Sequence, residues 1–119
     1  MTKYDPIADI MDEPLVIDDS TLAQLRSFRA EPKFLDLPGE KGIEERPRLT
    51  ATFDELLDRL IAGIEQNPQK LWVMKEFQRV LEQVEREDTE AREPFGRYLE
   101  RIMDILRIES SDGLLDWYL

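Results

Sequence analysis

Four carboxylates hold the best prospect of chemistry in this chain: the pair Glu82-x-x-Glu85 and the pair Glu100-x-x-x-Asp104. Two neighbouring helices that each present paired carboxylates can hold a hard cation such as Mg²⁺, and the cation can grip a substrate's phosphates. Most other routes are closed. The chain contains neither histidine nor cysteine, so it cannot build a Ser–His or Cys–His nucleophile, a zinc–histidine centre or a disulfide framework. Gly39 and Gly42 do not lead into a Lys-Ser/Thr pair at a helix start, so there is no phosphate-cradling loop. Asp5, Asp9 and Asp12 have neither the spacing nor the glycine of an EF-hand loop.

The two carboxylate pairs resemble the motif of the all-α nucleoside triphosphate pyrophosphatases, in which an E-x-x-E is followed by an E-x-x-D on the next helix. The second pair departs from that pattern, with one residue too many between Glu100 and Asp104. Glu82 and Glu85 also alternate with Arg79 and Arg86, as ordinary i,i+3 and i,i+4 surface pairs do. A solvated face is therefore the preferred reading. No metal or cofactor is assigned, and Glu82, Glu85, Glu100 and Asp104 stand only as the residues of an alternative Mg²⁺ pyrophosphohydrolase.

The elements that must position these groups read as all-α. The chain of 119 residues is expected to form a single helical domain, 1–119, with one hydrophobic core. Residues 1–18 read as an irregular acidic segment broken by Pro6 and Pro14. Asp19 or Ser20 can cap a helix that buries Leu22, Leu25 and Phe28, and Pro32 stops it. Residues 31–51, with Pro32, Pro38, Gly39, Gly42 and Pro47, read as a long loop. Thr52 and Glu55 have capping-box spacing and predict a helix start at Thr52. A further helix from Pro68 to about Glu87 buries Leu71, Met74, Phe77, Leu81 and Val84. Another begins near Thr89 or after Pro94, with Phe95, Leu99, Ile102 and Leu106 as its stripe, and Ser110 or Ser111 caps a short last helix. The expected architecture is a small antiparallel bundle of about four to five helices.

Charge narrows the partners. There are 27 acidic and 16 basic residues, a net charge of −11. Residues 1–20 hold six carboxylates and one lysine, and residues 109–119 hold three carboxylates and no base, so eight of the eleven excess charges lie in the two ends. Such a surface repels phosphate backbones and anionic lipid, so direct nucleic-acid or membrane binding is not expected, and a charged partner should be basic. The N-terminus lacks the pattern of a signal peptide, and no apolar run has the length of a membrane span; a cytoplasmic protein is expected. Oligomeric state is open.

Three groups are candidates for partner contact. Loop residues Ile43, Glu44 and Glu45 offer an apolar anchor beside two acids on a loop that the helical scaffold is expected to hold. Glu85, Asp88 and Glu90 form an acidic helix–helix connection. The rings of Trp72, Trp117 and Tyr118 either close the bundle or form an aromatic hot spot.

From Met103 through Ser110-Ser111-Asp112-Gly113 to Leu115 the sequence resembles the C-terminal signature of a family of small, acidic, helical bacterial proteins of unassigned function. The resemblance implies a helical domain and no catalytic residue. The function expected is a non-enzymatic protein-binding domain, by class an immunity-like or antitoxin-like inhibitor of a basic bacterial toxin, with charge steering its association. A DNA mimic is the remaining alternative; the interleaved Arg79, Arg86, Arg92, Arg97, Arg101 and Arg107 argue against a phosphate-like row on the main helices.

Overall fold

The helices that start at Asp19 and Lys70 begin where a side chain or a neighbouring segment satisfies their first backbone N–H groups. In the computed structural model the described residues are 4–35, 39–87 and 89–119, and for 39–44 the description is of the backbone alone. A 3-10 turn, Pro6–Asp9, opens with the Asp5 carboxylate accepting from the Ile7 N–H at 3.0 Å. Helix α1, Asp19–Ala30, is capped by Asp18, one residue earlier than the sequence suggests; its Oδ1 accepts from the Thr21 N–H at 2.8 Å and from the Thr21 hydroxyl at 2.9 Å. Helix α2 runs Gly39–Gly63, α3 Lys70–Val84, α4 Thr89–Leu106 and α5 Leu114–Tyr118. The fold is a small all-α bundle, as expected, and no named strand occurs among the described residues.

The expected 31–51 loop is a correction. Residues 39–51 belong to α2, and Pro47 lies inside that helix. An internal proline costs a helix about 3 kcal/mol. Tertiary contacts offset it. Leu49 is buried in the core. Arg46 donates to the carbonyls of Phe34 and Leu35 at 3.0 and 3.2 Å, and the Thr50 hydroxyl donates to the Lys33 carbonyl at 3.3 Å. Arg48 pairs with Glu87 at 2.5 Å. Thr52 caps nothing: it sits mid-helix, and its hydroxyl donates back to the Arg48 carbonyl at 3.0 Å.

Helix α3 shows another departure. Pro68 lies outside it, and Gln69 at its start offers no side-chain cap. The acidic N-terminal segment does the capping instead. The Lys70 N–H donates to the Glu13 carbonyl at 2.9 Å, and the Leu71 N–H donates to Asp12 Oδ1 at 2.9 Å. The Leu15 N–H returns a bond to the Pro68 carbonyl at 2.7 Å. Carboxylates at a helix N-terminus are favoured by the helix dipole as well as by the free N–H groups.

Helix α4 starts at Thr89, ahead of Pro94, and closes in a Schellman turn. Arg107 takes the left-handed conformation (φ 60°), the Arg107 N–H reaches the Asp104 carbonyl, and the Ile108 N–H reaches the Met103 carbonyl at 2.8 Å. Ser110 and Ser111 then shape the turn into α5: the Ser110 hydroxyl accepts from the Asp112 N–H and the Ser111 hydroxyl from the Leu115 N–H.

Helix α1 packs on α2 and α4, α2 on α3, and α3 also meets α4, α5 and the 3-10 turn, which touches α5. The centre is aromatic: Phe28, Phe34, Phe53, Phe95 and Tyr98 lie with ring centroids 5.1–5.9 Å apart. Packed on α2, α4, α5 and the 3-10 turn, α3 is the platform on which the N-terminal segment and α5 converge.

Candidate functional site: an acidic, aromatic cleft where the chain ends meet

Gln78 and Glu82 recur at helical spacing along α3, and Glu85, its C-cap residue, continues that face. The 3-10 turn and α5 wall that face on either side. Between them lies an open cleft of about 450 Å³, lined from α3 and the turn that follows it by these three side chains and Arg86, from the N-terminal segment by Tyr4, Asp5 and Pro6, and from α5 by Trp117 and Tyr118.

Hydrogen bonds hold the walls together. The Gln78 amide donates to Asp5 Oδ1 at 2.8 Å and contacts the Tyr118 hydroxyl oxygen at 3.2 Å. The Tyr118 hydroxyl lies 3.4 Å from Glu82 Oε1. Tyr4 bonds Asp9 through its hydroxyl and packs edge-on against Trp117, with ring centroids 4.9 Å apart. Tyr118 is buried, whereas Trp117 and Tyr4 keep 54% and 49% of their surface exposed. Two aromatic rings thus remain available to a visitor.

The bonds from Gln78 and from the Ile7 N–H hold the Asp5 carboxyl below the usual carboxylate range. Burial pushes the Tyr118 phenol above its usual value; the Gln78 bond opposes this, and the charges of Glu82 and Glu85 add to it. Neither Glu82 nor Glu85 takes part in an ion pair among the described residues.

A second device locks the two ends together below the cleft. Lys70, its side chain only 5% exposed, places Nζ 2.8 Å from Asp112 Oδ2. The same oxygen accepts from the Met11 N–H at 2.9 Å. One carboxylate thus joins the N-terminal segment, the start of α3 and the turn before α5. Lys70 and the Met11 N–H hold the Asp112 carboxyl below its ordinary value.

Most other acids of the two ends lie outside ion pairs among the described residues. Of the nine carboxylates in residues 1–20 and 109–119, only Asp18 and Asp112 lie in ion pairs among the described residues. In the helical body, by contrast, Glu31, Asp54, Asp58, Glu76 and Glu87 are all paired to Arg or Lys.

Two further clefts are built differently. The larger, about 580 Å³ between α1 and α2, is lined by Arg29, Lys33, Arg46, Asp54, Glu55 and Asp58, among others. Its charge is internally compensated. The fully buried Lys33 ammonium sits 2.6 Å from Asp54 and donates to the carbonyls of Arg29 and Glu31. Arg29 pairs with Asp54 and Asp58. A depression of about 330 Å³ on α4 mixes Arg92 and Arg97 with Glu93 and Glu100.

The contact residues expected from sequence are divided by the fold. Glu85 lines the cleft. Glu45 lies on α2, 3.9 Å from Arg48, which also reaches Glu87; the stretches at Glu45 and Glu85–Glu87 are therefore neighbours, partly neutralised by Arg48. Glu90 is exposed in the first turn of α4. Asp88 and the side chains of Ile43 and Glu44 lie outside the described residues. The four carboxylates of the alternative metal site are not gathered. Glu82 and Glu85 face the cleft, Glu100 faces the α4 depression and Asp104 is exposed. The described residues contain no group of three or more acidic side chains placed to hold a metal ion. No helix among them is long and apolar enough to cross a membrane.

Sequence reasoning missed Tyr4, Asp5 and Gln78 as members of one site. The acid excess of the ends and the Trp117-Tyr118 pair were the available signals. Their meeting spans more than 70 residues of separation, which periodicity does not encode.

Residues 16–119 match the family described as a domain of unknown function, DUF4844, and the chain belongs to it. The cleft's α3 and α5 walls lie within the matched span, and its Tyr4–Pro6 wall lies before it. No curated protein and no solved structure matches the chain.

Proposed function

We propose that this DUF4844 domain is a non-enzymatic protein-binding domain that takes a basic partner on the face where its two acidic ends meet. By class, the closest reading is an immunity-like or antitoxin-like inhibitor of a basic bacterial toxin. One observation carries the reading: Asp5, Glu82 and Glu85, none in an ion pair among the described residues, line a cleft with half-exposed aromatic walls, while Glu31, Asp54, Asp58, Glu76 and Glu87 are paired to Arg or Lys. Unpaired carboxylates steer a cationic partner and choose its orientation, and exposed aromatic rings supply contact area that survives desolvation. The pyrophosphohydrolase alternative has no comparable support, because its carboxylates face different ways.

The test is capture from the native host with the full chain as bait, at low and moderate salt, beside a Glu82→Gln/Glu85→Gln double variant. The reading expects a basic protein that is retained by the parent chain, weakened by salt and lost from the variant. It also expects that protein's own activity to fall in the complex. Capture of acidic or neutral proteins only, or equal capture by the variant, overturns it.

A further inference from the structure

We infer that the cleft between the 3-10 turn, α3 and α5 is a recess for a single arginine side chain of the partner; this rests on the protein-binding reading and specifies its contact chemistry. The cleft, about 450 Å³ and open to solvent, has room for a long side chain and the water around it. Its walls match a guanidinium better than an ammonium. Guanidinium is planar and weakly hydrated, stacks on aromatic rings and bonds carboxylates through a rigid fork; ammonium is a compact, strongly hydrated point charge.

The half-exposed Trp117 ring, braced edge-on by Tyr4, offers a stacking face. Glu82 and Glu85, three residues apart on one helix face, offer two carboxylates without ion-pair partners among the described residues. Asp5, held ionised by Gln78 and the Ile7 N–H, adds a third negative charge. The cleft's own cation is Arg86, in the turn just after α3 and likewise in no ion pair among the described residues. Three carboxylates against one arginine leave room for a second cation, and Arg86 acts as a weak internal competitor for it.

The test uses the isotope-labelled full chain and follows the Trp117 indole N–H by NMR, assigned with a Trp117→Phe variant. The probes are acetyl-Gly-Arg-Gly-amide, acetyl-Gly-Lys-Gly-amide and agmatine. The arginine peptide should shift the Trp117 signal and bind about threefold or more tighter than the lysine peptide. Glu82→Gln/Glu85→Gln should weaken it about tenfold with the spectrum's dispersion unchanged, and Arg86→Gln should tighten it about two- to threefold by removing the competitor. Equal binding of the two peptides, or shifts that bypass Trp117, overturn the arginine recess. Tighter binding of agmatine than of the peptide assigns the cleft to a free guanidinium compound and overturns the partner-side-chain assignment. A basic partner captured in a Glu82- and Glu85-dependent way, with Trp117 unmoved by the arginine peptide, overturns the recess and leaves the protein-binding reading standing; the converse pattern does the opposite.

Discussion

Removing the charge of Asp112 should destabilise the protein more than removing its partner Lys70. The asymmetry follows from burial. The Lys70 side chain is 5% exposed and the Asp112 side chain 24%, at a separation of 2.8 Å. In Asp112→Asn the amide oxygen can still accept from Met11 and still suits the left-handed backbone at φ 52°, but the buried ammonium loses its counter-charge. Breaking a fully buried pair in this way costs about 3–5 kcal/mol; with Asp112 a quarter open to water, about 2–3 kcal/mol is expected. Lys70→Met keeps the stem's packing and leaves the lone carboxylate on the side that water already reaches, so its cost should be about 1 kcal/mol. Asp112→Ala should be the worst, because it adds about 1 kcal/mol for forcing alanine into the left-handed region. Urea unfolding at pH 7 with linear extrapolation measures all three. If Lys70→Met costs as much as Asp112→Asn, or if Asp112→Asn costs less than about 1 kcal/mol, the buried Lys70–Asp112 pair is not what latches the two ends together.

Acid should weaken the same region. The carboxyls of Asp18 and Asp112 are held below their ordinary 3.8 in the folded state, Asp18 chiefly by the Thr21 N–H and Asp112 chiefly by Lys70. Their contribution is complete above the unfolded value and is lost as pH falls through the lower folded values, so unfolding free energy should hold to about pH 4 and decline below it. A decline centred near pH 6 would contradict this. Gly113→Ala should cost about 1 kcal/mol, although the space there is open, because Gly113 sits at φ 88°; thermal melting reads it. Tyr98→Phe should cost about 1–2 kcal/mol, because its hydroxyl accepts from the N–H of buried Phe34, itself at φ 60°. No loss in chemical denaturation would show that this N–H finds another acceptor.

The helices were legible where apolar spacing is strong. Of the stripe Phe53, Leu56, Leu57, Leu60, Ile61 and Ile64, all but the half-buried Ile61 are buried as the 3.6-residue pattern requires; Leu71 is likewise only half-buried on α3, while Phe95, Leu99, Ile102 and Leu106 are all buried. The start of α2 was not legible, because local rules weigh Pro47 and the Thr52–Glu55 spacing without the long-range bonds of Arg46, Thr50 and Arg48 that hold that turn. The cap of α3 was hidden for the same reason: Asp12 and Glu13 cap a helix that begins nearly 60 residues later. Of the site, the charge was legible and the geometry was not. Glu85 and the acidic ends could be named from sequence, but only the fold shows that Asp5, Gln78 and Trp117 share a wall with them.

The placement of charge is itself an argument for a partner. If the net charge served only to keep the protein dispersed in water, carboxylates interspersed over the whole surface would serve as well and would repel one another less. Here the body interleaves its acids with arginines, while the excess sits in two segments far apart in sequence that the fold brings together on α3. Lys70 is spent holding them there. Concentrating like charge raises the free energy of the unbound state. A cation entering the cleft relieves that repulsion, so binding and latch should reinforce each other: a ligand that stabilises the parent chain should stabilise Asp112→Asn less, since the variant's ends are free to move apart before it arrives.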